Sequence, residues 1–338
     1  MRIQVGINGF GRIGRAVFRI LMSQPEKFEV TLINDIADAS SLASLLKYDS
    51  TFGLFPGTVE AVESGLKVNG KIIRVTSEKD PENIPWKKGE VSVVLESSGK
   101  FTTREGLEKH LVAGAPKVLL SAPPKGDKAM DAIIVLGVND SLLKPSMKIV
   151  SNASCTSNCV ITMAKILHDQ FGIESGLMTT AHAYTSSQAL LDKMSKDPRR
   201  GRAAAQNIIP TTTGAADMIG LVIPELNGKL TGIALRVPVP CGSITDLTVV
   251  LKKSHSRDDI NSAFRNAALG PMKDIVEYTE EPIVSSDIVG NKHSCIIDGT
   301  WTRVMKGNLV KVMGWYDNEW GYSSRTVDVL ERMAFNLE

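Results

Sequence analysis

The stretch Ser151–Val160, SNASCTSNCV, places a cysteine, Cys155, between two hydroxyl residues, Ser154 and Thr156. Upstream, Lys148-Ile149-Val150 ends a short β-like run. Downstream, Val160, Met163, Ala164, Leu167 and Phe171 fall on the stripe of an amphipathic helix. A thiol at a helix start feels unpaired backbone N–H groups and the positive end of the helix dipole, and both favour thiolate, the nucleophilic form. The same N–H groups and the hydroxyls of Ser154 and Thr156 can hold an oxyanion or a phosphate. The alternative is a small buried hydrophobe, the commonest fate of a free cysteine. His182 stands near the end of a predicted strand, at the mouth of a loop carrying Arg199, Arg200 and Arg202. An imidazole titrating near neutrality can hold Cys155 as thiolate and then shuttle protons, although a histidine in such a place is more often structural. The arginines read equally as a solvated basic patch or as forked phosphate ligands.

A second chemistry is legible at the start of the chain. Ile3, Val5 and Ile7 alternate as in a strand, and Gly9-Phe10-Gly11-Arg12-Ile13-Gly14 follows. Ile13, Ala16, Val17, Ile20 and Leu21 then mark a helix. GxGxxG between a strand and a helix is the context a dinucleotide pyrophosphate requires. Asp35 ends a second strand-like run, Glu29–Ile33 followed by Asn34, about 20 residues on, where an acid takes the ribose hydroxyls of an adenosine. Its carboxylate would repel a 2′-phosphate, so NAD is expected rather than NADP. The competing readings are ordinary turns for the glycines and a helix cap for Asp35.

The elements that must position these residues divide the chain in two. Short β-rich runs at 91–95, 117–120, 133–136 and 148–150, with helical segments at 40–48 and 103–113, predict an α/β, doubly wound, mostly parallel sheet. Ser97-Ser98-Gly99 and Ser121-Ala122-Pro123 lie at strand ends, where ligands of such sheets bind. Since Cys155 follows the last of these strands, the thiol is expected beside the reactive end of the cofactor. From Gly176 longer β-like runs dominate: 176–184, 229–238, 244–252, 294–303 and 309–316. They predict a mostly antiparallel sheet covered on one face by the 156–171 helix and by a second helix, which starts at Ser256 with Asp259 as its capping-box acid. The expected domains are 1–153, 154–318 and a helix at 319–338 that returns to the first.

Composition bounds the partners. In 338 residues the formal net charge is +2, with 43% apolar and 22% charged residues, too weak a field to favour nucleic acid or a membrane surface. No apolar run of membrane-spanning length and no leader pattern is present, so a cytoplasmic protein is expected. The four cysteines at 155, 159, 241 and 295 read as reduced thiols, and no metal-ligand spacing stands out.

The chain resembles the phosphorylating, glycolytic glyceraldehyde-3-phosphate dehydrogenases. The resemblance is carried by INGFGRIGR at 7–15, IND at 33–35, LKYDS at 46–50, SNASCTSNC at 151–159 and HAYT at 182–185. It continues in QNIIP at 206–210, TGAA at 213–216, VIPELNGKLTG at 222–232, RVP at 236–238 and WYDNEWGYS at 315–323. It implies a Rossmann-type NAD domain, an α+β catalytic domain and a two-step reaction on glyceraldehyde 3-phosphate. Cys155 would attack the aldehyde, hydride would pass to NAD, and inorganic phosphate would discharge a thioacyl-enzyme, with His182 as base. It further implies Thr185, Arg199 and Arg236 for the substrate phosphate, and Ser154, Thr156, Thr213 and Gly214 for the attacking phosphate. Gly9, Gly11, Arg12, Ile13, Gly14, Asp35, Lys79, Ser121 and Asn318 match cofactor positions. A homotetramer is implied, with the 185–207 loop near a neighbour's cofactor. Lys193-Met194, Ser187 and Lys79 depart from the commoner family pattern. The alternatives are an erythrose 4-phosphate dehydrogenase, against which the intact HAYT counts, and an interaction protein with a vestigial site.

Overall fold

A computed structural model describes residues 2–335 of the chain. Among these, the first compact unit comprises residues 2–134, 141–153 and 323–335, and the second residues 135–140 and 154–322.

In the first unit, β1 (Ile3–Asn8) leads through the glycine turn into α1 (Arg12–Met22), and β2 (Phe28–Asn34) follows. Helix α1 forms because Ala16, Val17, Ile20 and Leu21 supply a single apolar stripe, all of it buried. After α2 (Ala39–Lys47) come β3 (Val59–Val62), β4 (Gly65–Val68), β5 (Lys71–Thr76), β6 (Val93–Glu96), α3 (Arg104–Val112), β7 (Val118–Leu120), β8 (Ala132–Ile133) and β9 (Ile149–Ser151). The nine strands pair in the order β8-β9-β7-β6-β1-β2-β5-β4-β3. All neighbours from β8 to β5 are parallel, and only the β3-β4-β5 edge is antiparallel. The order reverses between β1 and its neighbours β2 and β6, which opens a crevice at the carboxyl ends of those strands.

The antiparallel edge was not anticipated from sequence. Its turn is Asn69-Gly70, both at positive φ (49° and 82°), a pairing that suits the twist of a two-residue hairpin. The run expected at 133–136 pairs only over Ala132–Ile133, and the chain then turns at Gly137 (φ 81°).

The second unit opens with α4 (Cys155–Phe171), followed by β10 (Ile173–Ala183), β11 (Ile209–Thr212), α5 (Ala215–Val222), β12 (Leu230–Val237), β13 (Ser243–Leu251), α6 (Arg257–Leu269), β14 (Val276–Thr279), β15 (Cys295–Asp298), β16 (Arg303–Met305) and β17 (Leu309–Tyr316). The strands run β11-β12-β10-β13-β17-β15-β14, with β16 on β17, and are antiparallel except for β10-β12 and β14-β15. Helices α5 and α6 each pack on α4, and α4 lies against β10, β13, β15 and β17. Ser256 and Asp259 form the capping box expected at the start of α6. The strand expected over 294–303 is broken: Asp298 accepts from Thr300 N, and Gly299–Trp301 make a 3₁₀ turn before β16 resumes. A last helix, α7 (Trp320–Phe335), carries the chain back into the first unit. There Lys117 Nζ donates to Met333 O at 2.7 Å.

Candidate functional site

Strand alternation and register build the site of the second unit. On β10, Met178, Thr180 and His182 are buried, whereas Leu177 is exposed, so His182 belongs to the helix-covered face. Its register partner on the parallel neighbour β12 is Arg236, which therefore shares that face. Cys155 is the first residue of α4. The N-cap Ser154 accepts from Ser157 N at 3.0 Å, and the preceding Ala153 is held in left-handed conformation (φ 52°). That sharp entry aims the first turn of α4 at the end of β10.

The outcome is a contact between Cys155 Sγ and His182 Nε2 at 3.3 Å. His182 Nδ1 lies 2.6 Å from Ala183 O and 2.7 Å from Arg236 Nη1. The carbonyl can only accept and the guanidinium can only donate, so Nδ1 can satisfy one of them. The shorter contact assigns Nδ1–H to Ala183 O, a carbonyl that also accepts from Arg236 Nη1 at 3.0 Å. Nε2 is then left as a lone pair facing the thiol, the form a general base needs.

Electrostatics departs from the sequence expectation here. Burial and the neighbouring Arg236 charge lower the His182 imidazole to about 4, against a smaller raising effect of its bond to Ala183. Burial also pushes the Cys155 thiol up, partly offset by Arg236 and by the Thr156 hydroxyl and backbone. Both shifts favour the uncharged forms, thiol and neutral imidazole, and Arg236 is the charge that draws the thiol back toward thiolate. Arg236 itself is lowered by burial, and its Nε is buried with no partner. An unpaired guanidinium N–H beside a thiol is a site for an anion.

Of the other expected phosphate ligands, Thr156 Oγ1 shares Tyr316 OH with Thr180 Oγ1, at 2.9 and 2.8 Å. Thr185 Oγ1 meets Ser187 Oγ at 3.0 Å, and Thr213 Oγ1 accepts from Ala215 N at 3.2 Å where Gly214 caps α5. Arg199 lines a cleft of about 520 Å³ with Asp197, Thr213, Thr231 and Ile233, and Ile233 lies on the face of β12 opposite Arg236. Its neighbour Arg200 instead donates from Nε to Thr211 Oγ1 at 2.9 Å, and its charge reaches Arg236. Successive residues of the 3₁₀ turn point to different sides, and a run of three arginines gives no sign of which one faces in.

In the first unit a cleft of about 360 Å³ lies at the carboxyl ends of the strands. Asn8, Gly9, Gly11, Asn34, Asp35, Glu78, Lys79 and Ser98 are among its lining residues. Gly9 (φ 89°) admits no side chain, since a Cβ would stand 2.4 Å from Ser98 N, and a Cβ on Gly14 would meet Gly9 O at 2.2 Å. Gly11 has no atom within 4 Å of a notional Cβ, so its lack of a side chain keeps the cleft open. Asp35 caps no helix, that role falling to Asp38. Its Oδ2 accepts from Phe10 N at 2.7 Å and its Oδ1 from Ala37 N at 3.0 Å. Arg12 is tied to Asp49, Ile13 is within α1, and Ser121 Oγ donates to Glu96 O at 3.1 Å. Asn318 belongs to the second unit, where its Oδ1 accepts from Gly242 N and Ser243 Oγ, leaving Nδ2 as the donating end. A chain with a cradle of backbone N–H groups, no side chain at Gly11 and an acid beside it fits a dinucleotide.

Sequence reasoning missed Tyr316, Asn8 and Glu96, and named Arg200 only as one of three arginines. Among the described residues no group of three or more His, Cys, Asp or Glu gathers as a metal would need, and no helix is long and apolar enough to cross a membrane.

Comparison with known proteins agrees with this division. The family described as glyceraldehyde 3-phosphate dehydrogenase, NAD binding domain, matches residues 3–104, and its C-terminal domain matches residues 154–318. A protein of Streptomyces avermitilis named glyceraldehyde-3-phosphate dehydrogenase 2 is 52% identical over 97% of this chain and 98% of its own. Glyceraldehyde-3-phosphate dehydrogenases of Borreliella burgdorferi and Geobacillus stearothermophilus are each 51% identical, over 98% and 99% of this chain and 100% and 99% of theirs.

Proposed function

The chain belongs to the glyceraldehyde-3-phosphate dehydrogenase family, and from that premise we propose the course of its reaction and the residues that carry it. It is an NAD-dependent oxidoreductase acting on an aldehyde group. In our reading Cys155 attacks the aldehyde carbon of glyceraldehyde 3-phosphate while its proton passes through His182 Nε2 to the aldehyde oxygen, giving a hemithioacetal and returning the imidazole to its neutral form. Bound NAD supplies the hydride acceptor. His182 takes the hydroxyl proton as the hemithioacetal becomes a thioacyl-enzyme, which inorganic phosphate then attacks to release 1,3-bisphosphoglycerate. The observation that carries the reading is the Cys155–His182 contact at 3.3 Å with Arg236 at its side.

Arg236, with its unpartnered Nε, and Thr185 are assigned to the substrate phosphate, with Arg200 rather than Arg199 as the second cation. Ser154, Thr156, Thr213 and Gly214 are assigned to the attacking phosphate. Gly9, Gly11, Asp35 and Lys79 would hold NAD in the first unit's cleft, with Arg12, Ile13, Gly14 and Ser121 supporting its wall and Asn318 donating from Nδ2. The protein is read as a cytoplasmic homotetramer whose free cysteines are kept reduced. Leu190, Leu191 and Met194 are 82%, 72% and 98% exposed in the single chain, and Leu177 and Ile233 stand out from the open sheet face, as surfaces awaiting copies of the chain would. The test is steady-state NAD reduction with glyceraldehyde 3-phosphate and with erythrose 4-phosphate, each with and without inorganic phosphate. A strong preference for the former and dependence on phosphate are expected; preference for erythrose 4-phosphate would overturn the substrate assignment.

A further inference from the structure

Beneath the cleft of the first unit runs a row of buried polar side chains that no step of the reaction uses. The last residues of four neighbouring strands stand in register: Thr76 with Asn34, Asn34 with Asn8, and Asn8 with Glu96. Asn34 Oδ1 accepts from Thr76 Oγ1 and Glu78 N, each at 2.8 Å, and Asn34 Nδ2 donates to Asn8 Oδ1 at 2.8 Å. Asn8 Nδ2 donates to Glu96 Oε2 at 2.5 Å. Glu96 Oε1 accepts from Ser98 N at 2.8 Å and Ser98 Oγ at 2.5 Å. His110 Nε2 reaches Glu96 Oε2 at 3.0 Å, and Trp86 Nε1 donates to His110 Nδ1 at 3.1 Å. Trp86 and His110 are 0% exposed, Glu96 1%, Asn8 and Asn34 3%.

Donor and acceptor chemistry admits one arrangement. An indole N–H can only donate, so His110 Nδ1 is bare, and Nε2 carries the proton and gives it to Glu96. The pair is thus a neutral imidazole on a carboxylate, not an ion pair. Every group touching Glu96 is a donor. That fixes the Asn8 amide with its oxygen toward Asn34, and fixes Asn34 with its oxygen toward Glu78 N. The row ends on residues that line the cleft: Asn8, Asn34, Glu78 and Ser98. Phe101, another lining residue, meets the His110 ring edge-on at 6.5 Å. One carboxylate therefore orients groups on both sides of the strand-order reversal.

We propose that Glu96, held by His110 and Trp86, is a positioning residue for the cofactor, setting both walls of the cleft through Ser98 on one side and Asn8–Asn34 on the other. The proposal rests on the assignment of this cleft to NAD. Glu96→Gln keeps the shape but replaces one acceptor oxygen with a donor. Turned toward Oε2, the new NH₂ faces the donors of Asn8 and His110, and Trp86 blocks the other imidazole tautomer. Turned toward Oε1, it faces Ser98 N–H. Either way one wall of the cleft must shift.

The test measures NAD dissociation constants by titration, together with kcat and KM, for Glu96→Gln and for Gly11→Val, which fills the cleft directly. Expected are loss of NAD binding in Gly11→Val and a rise of about ten- to a hundredfold in Kd and KM for NAD in Glu96→Gln, the cost of one or two mispaired buried groups. The KM for the aldehyde and kcat at saturating NAD should move by less than about threefold. Should Glu96→Gln fail to fold, Trp86→Phe, which frees the imidazole to change tautomer, should still raise the Kd for NAD by at least about threefold. If Gly11→Val loses NAD while Glu96→Gln only melts earlier with its Kd unchanged, Glu96 is merely structural and the proposal fails. If neither variant alters NAD binding, the cleft assignment itself is wrong.

Discussion

Arg236, proposed to hold the substrate phosphate, also presses on His182, the proposed general base. Its Nη1 lies 2.7 Å from His182 Nδ1, and its charge is the second cause, after burial, of the fall of that imidazole to about 4. Arg236→Gln keeps a donor for Ala183 O and removes the charge. Two unit charges 4 Å apart interact by about 4 kcal/mol at an effective dielectric of 20; spreading both charges over their groups, with Arg236 still in part exposed, halves this to about 2 kcal/mol. That is about 1.5 pKa units. His182 in Arg236→Gln should therefore titrate between about 5 and 6, read from its ring C–H resonances against pH. The thiol should move as well, upward, because the same guanidinium favours its ionised form. Turnover should fall by about ten- to a hundredfold for glyceraldehyde 3-phosphate, the value of a lost charge-assisted bond, and far less for unphosphorylated glyceraldehyde. A His182 titration unchanged within half a unit, about the least such a charge can give, would refute the electrostatic reasoning. Equal losses on both aldehydes would refute the phosphate role.

Cys155→Ser should abolish turnover with NAD binding intact, whereas Cys159→Ser should keep most activity, because Cys159 is fully buried with its Sγ on Gly314 O; assays of both variants with NAD titrations check this. His182→Asn should lower the rate by about 10² to 10⁴, as steady-state NAD reduction would report. The buried imidazole also makes the fold acid-sensitive. Its folded pKa lies below the unfolded value of 6.5, so its contribution is complete above about pH 6.5 and is lost as pH falls toward 4. The loss should reach about 3 kcal/mol, and denaturant midpoints of the native protein and His182→Asn should converge over that window. Asp35→Ala should narrow a preference for NAD over NADP of at least about a hundredfold, mainly by improving NADP, as kcat/KM with each cofactor would report.

What was legible in the sequence was local. The glycine fingerprint announces its strand, turn and helix within a dozen residues, because each glycine answers a steric need of its own neighbourhood. Cys155 at a helix start and His182 at a strand end could likewise be read from pattern. What pattern cannot give is register. That His182 stands beside Arg236, and so titrates low rather than near neutrality, follows from pairing between strands far apart in sequence. Glu96 went unnoticed for the same reason: Asn8 and His110, which meet its carboxylate, come from a strand and a helix distant in sequence. The orientation of Arg200 rather than Arg199 depends on a single 3₁₀ turn. The Asn69-Gly70 hairpin was a missed local signal, and its positive φ values show why those two residues stand there.

The central claim is that Cys155 carries the acyl group and that phosphate, not water, removes it. The direct measurement mixes enzyme, NAD and glyceraldehyde 3-phosphate without phosphate, follows NADH, and weighs the peptide containing Cys155. Expected are a burst of one NADH per active site, a 3-phosphoglyceryl adduct on Cys155, and its discharge when inorganic phosphate is added. Continuous NADH formation at the same rate without phosphate, or an adduct on a residue other than Cys155, would contradict it.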